Sequence, residues 1–235
     1  AEIARRLGRE VVITRAASRN LERAQRVCGS DIMLSTEVAD VVTSADVDVV
    51  VELIGGTTVA KDAVVAAISN GKHVVTANKK LLAEHGNEIF ALAEQNNVMV
   101  MFEAAVAGGI PIIKALREGL AANQIESIAG IINGTSNFIL TEMREHGNAF
   151  ADVLKQAQEL GYAEADPTFD IEGHDAAHKL SIMSALAFGT PLNFHHCYLE
   201  GISRLESQDI RYAEELGYRI KLLGITRKTA AGIEL

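Results

Sequence analysis

The stretch VDVVVELIGG, residues 47–56, decides the fold. Its aliphatic side chains follow one another with no helical spacing, and two glycines stop the run. That pattern predicts a nearly continuous buried strand over residues 47–54. Downstream, residues 59–70 predict an amphipathic helix closed by Asn70-Gly71, and HVVT at 73–76 predicts the next strand. Residues 81–95 then read as a helix interrupted near Gly86, and VMVMF at 98–102 as a further strand. Upstream, EVVITRAA at 10–17 reads as a short buried strand, residues 20–27 as a helix behind it, and residues 36–40 as the start of another. Residues 1–8 read as the tail of a helix that Gly8 closes. Strands alternating with helices across short links predict an α/β fold with a doubly wound parallel sheet. Right-handed crossovers bring every strand's carboxyl end to one side, where ligands bind. Gly55-Gly56, Asn78-Lys79 and Glu103 stand there.

Past residue 107 the rhythm changes. EAAVAGG at 103–109 reads as a small-residue turn, and Pro111 opens a helix over residues 112–122. Residues 124–132 read as a strand with one polar face. NGTSN at 133–137 supplies turn and N-cap chemistry for a helix ending at His146. Helices follow over 151–160, 176–188 and 207–216, then a strand over 218–227 and the start of another at 232–235. This is a second, α+β domain, with its boundary between residues 102 and 111. GYAEADPTFDIEGHDAAHKL, residues 161–180, stands out within it, carrying Glu164, Asp166, Asp170, Glu172, Asp175, two histidines and Lys179. A helix beginning near His174 puts Asp175 and Lys179 four apart on one face, close enough to pair. An acidic surface loop with an ordinary ion pair accounts for the spacing equally well.

Composition narrows the class. Of 235 residues, 48% are hydrophobic, so a sizeable core can form, and aliphatic residues dominate, with no Trp. A formal net charge of −9 argues against nucleic acid or anionic membrane as a partner. No apolar run is long enough to span a bilayer, and no signal peptide is visible. Cys28 and Cys197 lack metal-ligand spacing, which predicts reduced thiols in a cytoplasmic protein.

Five segments in order resemble homoserine dehydrogenase: VVTANKK at 74–80, FEAAVAGGIP at 102–111, GIINGTSNF at 130–138, residues 161–179, and GYRIKLLG at 217–224. The resemblance implies reversible NAD(P)H-dependent reduction of L-aspartate 4-semialdehyde to L-homoserine, a step towards threonine, methionine and isoleucine. It also implies a Rossmann-like NAD(P)-binding domain over residues 1–106 and a substrate-binding, catalytic and dimerisation domain over 107–235. A homodimer or higher homo-oligomer is expected. The family's first strand and its G-x-G-x-x-G turn have no counterpart in the sequence. Residue 1 is therefore expected in the first helix or the connection after it. The carboxyl end is expected to continue in further strand and helix and, in some members, a regulatory domain.

Reducing an aldehyde requires a hydride on carbon and a proton for the developing alkoxide. The resemblance makes Lys179 the proton donor. A free lysine, with a pKa of about 10.4, exchanges its proton poorly near neutrality. Burial or a second cation would lower that value, whereas Asp175 opposes the change. Lys79 is the candidate second cation, and by resemblance lies near nicotinamide and substrate. Glu164 and Asp175 would contact the amino-acid substrate, whose α-ammonium suits a carboxylate. Asp170 would support Lys179 or the substrate. Asp166, before Pro167, shapes a turn, and Glu172, His174 and His178 read as solvated neighbours. For the cofactor, Gly55, Gly56 and Thr57 end a strand where backbone can approach a dinucleotide. Asn78, Lys79 and Gly161 join them by resemblance. Arg19, with no Asp or Glu at 11–20, stands where an acid would grip the ribose of NAD, and favours NADP through its 2′-phosphate. Glu103, Val106, Gly108 and Ile110 match a monovalent-cation site in the family, sodium by expectation, where a carboxylate and backbone carbonyls suit a hard ion.

Two other readings fit parts of the pattern. Lys179 could be a Schiff-base nucleophile, or the chain could be a non-catalytic dinucleotide-binding or dimerisation module.

Overall fold

A computed structural model describes residues 2–235. The chain forms two compact units, one of residues 1–81 with 85–102, the other of residues 82–84 with 103–235. The first runs α1 (Glu2–Leu7), β1 (Arg15–Ala17), α2 (Leu21–Cys28), β2 (Met33–Ser35), α3 (Ala39–Val42), β3 (Val49–Glu52), α4 (Val59–Ser69), β4 (His73–Thr76), α5 (Lys79–Gln95) and β5 (Val100–Met101). All its ladders are parallel: β1 with β2, and β4 between β3 and β5. This is a mixed α/β, Rossmann-like unit.

Register explains its core. Val50 lies opposite Val74, and Val74 opposite Val100, so one row of valines crosses the sheet. All three are buried, as are Val64 and Ile68 of α4. The alternate positions face outward, Val49 at 47% exposure and Val51 at 60%. The strand expected to be buried on both faces is therefore buried on one. Residues 11–13 likewise stay exposed and outside any strand, because β1 pairs with a partner of only three residues. The interruption expected near Gly86 is absent: α5 is continuous. A helical glycine costs about 1 kcal/mol relative to alanine, which burial of Leu81, Ile89 and Ala93 offsets.

The second unit runs α6 (Glu103–Val106), α7 (Ile112–Lys114), a π turn (Ala115–Gly119), β6 (Ser127–Gly130), α8 (Gly134–His146), α9 (Phe150–Glu159), α10 (Thr168–Ile171), α11 (His174–Phe188), a 3₁₀ turn (Phe194–His196), α12 (Ser207–Glu215), β7 (Gly224–Thr229) and β8 (Gly232–Glu234). Its sheet is antiparallel, β6-β7-β8, with Gly130 opposite Gly224. The turn expected at 103–109 contains the short α6, and the helix expected over 112–122 changes to π geometry at Ala115. The strand expected from residue 218 starts only at Gly224. The side-chain amide of Asn137 explains the delay. Its Nδ2 donates to the Leu222 carbonyl (3.0 Å) and its Oδ1 accepts from the Leu222 amide (3.1 Å), occupying the groups a strand neighbour would use.

Ile139, Leu140, Met143, Val153, Ala157 and Ile210 form the core where α8, α9 and α12 meet. Helix α11 packs on the sheet: a Cβ on Gly224 would fall 3.3 Å from Leu180 and 2.6 Å from Ile132. Ser184 Oγ lies 3.0 Å from Thr226 Oγ1. Among the described residues no helix is long and apolar enough to cross a membrane.

Candidate active site

The polar cluster of the second unit is built at the amino ends of α8 and α11. Gly173, at φ 84°, turns the chain into α11, where Asp175 occupies the first turn and Lys179 the next. A carboxylate there is favoured by the helix dipole. The Lys179 Nζ donates to Asp175 Oδ2 (2.7 Å) and to the Ile132 carbonyl (2.9 Å). The pair is largely withdrawn from water, with 18% side-chain exposure for Lys179 and 4% for Asp175.

Asn133 completes the cluster. Its Nδ2 donates to Asp170 Oδ1 (2.7 Å) and to the same Asp175 Oδ2 (2.9 Å). Its Oδ1 accepts from the Ser136 amide (2.9 Å), capping α8. Ser136 Oγ donates to the Asp170 carbonyl (2.9 Å), tying α10 to the start of α8. The structure therefore brings together Asp170, Asp175 and Lys179, three of the residues singled out in the sequence. Sequence reasoning saw Asn133 only as a helix cap, because nothing in NGTSN announces contacts 37 and 42 residues away.

Glu164 is exposed; Gln158 holds its backbone carbonyl (3.0 Å), and no hydrogen bond joins its side chain to the cluster. Asp166 accepts from the Thr168 amide (3.1 Å), the turn expected of it, and this residue's hydroxyl and amide hold its carboxyl below the usual carboxylate range. His178 departs from expectation. It is buried, edge-on to Phe194 (4.1 Å) and Phe169 (5.2 Å), because its helix position faces these rings. A cavity of about 350 Å³, lined by Gly134, Thr135, Phe138 and Tyr162, opens beside the start of α8.

Glu103, the carboxylate of the expected cation site, is already engaged. Its Oε1 accepts from the Ile113 amide (2.7 Å) and its Oε2 from the Lys114 amide (2.9 Å). An ion at residues 103–110 would share these carboxylate oxygens with the two amides and draw on backbone carbonyls. Among the described residues, no group of three or more His, Cys, Asp and Glu side chains is arranged to hold a metal.

In the first unit, the carboxyl ends of β3 and β4 share a polar network centred on Glu52, which is 2% exposed. Its Oε1 accepts from the amides of Ile54 (2.7 Å) and Gly55 (3.1 Å), and its Oε2 from the Thr76 hydroxyl (2.5 Å). Thr76 Oγ1 in turn accepts from the Asn78 amide (3.0 Å). Asn78 caps α5 through Leu81 (3.0 Å) and reaches the Gly56 carbonyl (2.7 Å). Asn78, predicted as a cofactor contact, thus braces the two loops. Gly55 and Gly56 adopt φ values of 78° and 70°, and a Cβ on either would meet nothing within 4 Å. That bare ledge at the ends of parallel strands fits the flat approach of a dinucleotide backbone. Thr57 is half-buried beside it, Lys79 opens α5, and Arg19 is exposed between β1 and α2. Gly161, in the second unit, follows α9 at φ 76°. A cavity of about 290 Å³ near Arg15, Ser35 and Asp40 contains none of the predicted residues. The sequence did signal Glu52: an acid inside an aliphatic strand needs buried partners.

Residues 111–235 match the family homoserine dehydrogenase, and residues 4–103 match homoserine dehydrogenase, NAD binding domain. The chain is 72% identical to the homoserine dehydrogenase of Neisseria gonorrhoeae over its whole length and 60% identical to that of Pseudomonas aeruginosa, covering 54% of each. The crystal structure of a Thiobacillus denitrificans homoserine dehydrogenase superposes with a TM-score of 0.95 at 66% identity, covering 99% of this chain and 54% of that one. A hyperthermophilic archaeal homoserine dehydrogenase in complex with NADPH gives a TM-score of 0.71 at 25% identity, over 99% of this chain and 64% of the other. The chain spans about half the length of the curated relatives it matches. It belongs to the homoserine dehydrogenase family.

Proposed function

We propose that the protein catalyses reversible NAD(P)H-dependent reduction of L-aspartate 4-semialdehyde to L-homoserine. The single observation that carries the reading is the Lys179 ammonium, held by Asp175 and the Ile132 carbonyl at the mouth of a helix, in a chain of this family. Residues 1–106 bind the dinucleotide; residues 107–235 bind substrate, catalyse and dimerise.

When bound, the dinucleotide supplies or accepts the hydride. The protein positions the carbonyl and moves the proton. Lys179 Nζ donates a proton to the aldehyde oxygen as negative charge develops there, and takes it back from the hydroxyl in the reverse direction. Asp175 fixes the direction of that ammonium. Glu164 and Asp170, with Asp175, offer carboxylates to the substrate's α-ammonium, which selects an amino acid over a simple aldehyde. Gly55, Gly56, Thr57 and Lys79 line the dinucleotide's path in the first unit, with Asn78 shaping the loops.

Arg19, exposed just beyond β1 with no acidic residue in the preceding strand, supports NADP over NAD. A monovalent cation such as sodium would sit at Glu103, Val106, Gly108 and Ile110, held by backbone carbonyls together with the Glu103 carboxylate, whose oxygens also accept from two amides. Two free cysteines fit a cytoplasmic setting.

The test is the reduced-nicotinamide absorbance of the full-length protein with homoserine and NADP or NAD. Turnover with homoserine, faster with NADP, is the expected result. No turnover with either dinucleotide would refute the reading.

A further inference from the structure

We propose that Asn133 is a positioning residue for Lys179, its side-chain amide acting as the clamp that ties Asp175, the carboxylate on which the ammonium depends, to Asp170. The inference rests on the reading of Lys179 as proton donor. Asp175 Oδ2 receives both the Lys179 ammonium (2.7 Å) and one Asn133 N–H (2.9 Å). The other N–H of that amide reaches Asp170 Oδ1 (2.7 Å). A neutral –NH₂ group has two donors and no positive charge. It can bridge two carboxylates without adding a positive charge that would compete with the ammonium.

The amide is itself fixed. Asn133 is 3% exposed, its Oδ1 is held by the Ser136 amide, and its own carbonyl accepts from Asn137 Nδ2 (2.9 Å). The second acceptor of the ammonium is the carbonyl of Ile132, the residue immediately before. Both partners of Lys179 are thus set from one point on the chain: the Ile132 carbonyl through the backbone, and Asp175 through the Asn133 amide. Without the amide, two carboxylates would face each other with two fewer N–H donors, and Asp175 could turn away, taking the ammonium with it. A reacting group misplaced by about 1 Å costs about 100-fold in rate.

Asn133→Ser separates clamping from helix capping. A serine hydroxyl caps a helix about as well as asparagine but is too short to span the two carboxylates. Asn133→Asp is the second variant; it keeps the cap and the shape and replaces the donors by acceptors. The expected result for Asn133→Ser is a protein that still folds, with a melting temperature lowered by several degrees because Asp170 and Asp175 each lose an N–H donor. The kcat for homoserine should fall about 30- to 100-fold, with KM for the dinucleotide within about twofold. Asn133→Asp should lose at least as much kcat. A capping role alone predicts wild-type kcat in both, and that result would overturn the proposal.

A readout independent of turnover is the ¹H–¹⁵N correlation of the Lys179 ammonium. A held ammonium gives a slowly exchanging signal in the wild type, expected to be lost in Asn133→Ser. Its persistence there would overturn the clamp. If the wild type fails to turn over homoserine, the proposed function fails, and this signal alone decides the role of Asn133. If Asn133→Ser does not fold, the same two readouts on Asn133→Asp decide it.

Discussion

Replacing Lys179 by methionine removes the ammonium but keeps most of the apolar stem, so the loss falls on the charge partnership with Asp175. Over the 2.7 Å separation, Coulomb's law at an effective dielectric of about 20 gives roughly 6 kcal/mol. Desolvation of both ions offsets much of that, and stranding one partner of a buried pair costs about 3–5 kcal/mol. Two features of the structure place this pair at or below the lower end. The Lys179 side chain keeps 18% exposure, and Asp175 retains the Asn133 N–H after the change. The expected cost is therefore about 2–3 kcal/mol. For a chain of this size that is a midpoint lowered by about 5–10 °C. The double variant Asp175→Leu/Lys179→Met removes both charges together and should recover at least half of the loss. Urea titrations of the wild type, the two single variants and the double variant close the cycle. A Lys179→Met protein within about 0.5 kcal/mol of the wild type, or a double variant no better than the sum of the singles, would refute the picture of a coupled, buried pair.

Glu52→Ala strands two backbone amides and the Thr76 hydroxyl. It should cost about 3 kcal/mol in denaturant titrations and raise KM for the dinucleotide while leaving KM for homoserine in place. Gly201→Ala should destabilise the second unit by about 2–3 kcal/mol, measured by the same titration, because its Cβ would fall 2.7 Å from the Ile171 carbonyl oxygen and 2.8 Å from the Glu172 Cα. Burial pushes the Cys197 thiol up from its ordinary 9.0 to about 11, so a thiol reagent should modify it slowly at neutral pH in the folded protein and quickly in urea. Because the folded value is the higher one, its contribution to stability is present below pH 9 and is lost as pH rises from 9 towards 11.

The sequence made the parallel unit legible because its strands are short aliphatic runs closed by glycine. Val74 and its neighbours could be placed from composition and punctuation alone. What it concealed was burial by face. Val49 and Val51 read as core, yet both are exposed while Val50 is buried, and no local property of a valine distinguishes the two. The helix of Asp175 and Lys179 was equally legible, since an i,i+4 acid and base after a glycine carries its own geometry. Asn133 and Asn137 were not. A side-chain amide that caps a helix has the same local sequence whether or not its other atoms reach Asp170, Asp175 or Leu222. Those partners lie 37 to 85 residues away, and only the packed fold brings them within 3 Å. Glu103 shows the converse: its position was apparent, but its carboxylate also accepts from two amides that a sequence does not aim.

The account stands on Lys179 giving and taking the proton. The most direct measurement is the steady-state rate of homoserine oxidation by Lys179→Met, on protein verified as folded, beside the wild type. A kcat lowered by about 100-fold or more, with dinucleotide affinity retained, is what this chemistry requires. Near-normal turnover by that variant would contradict it.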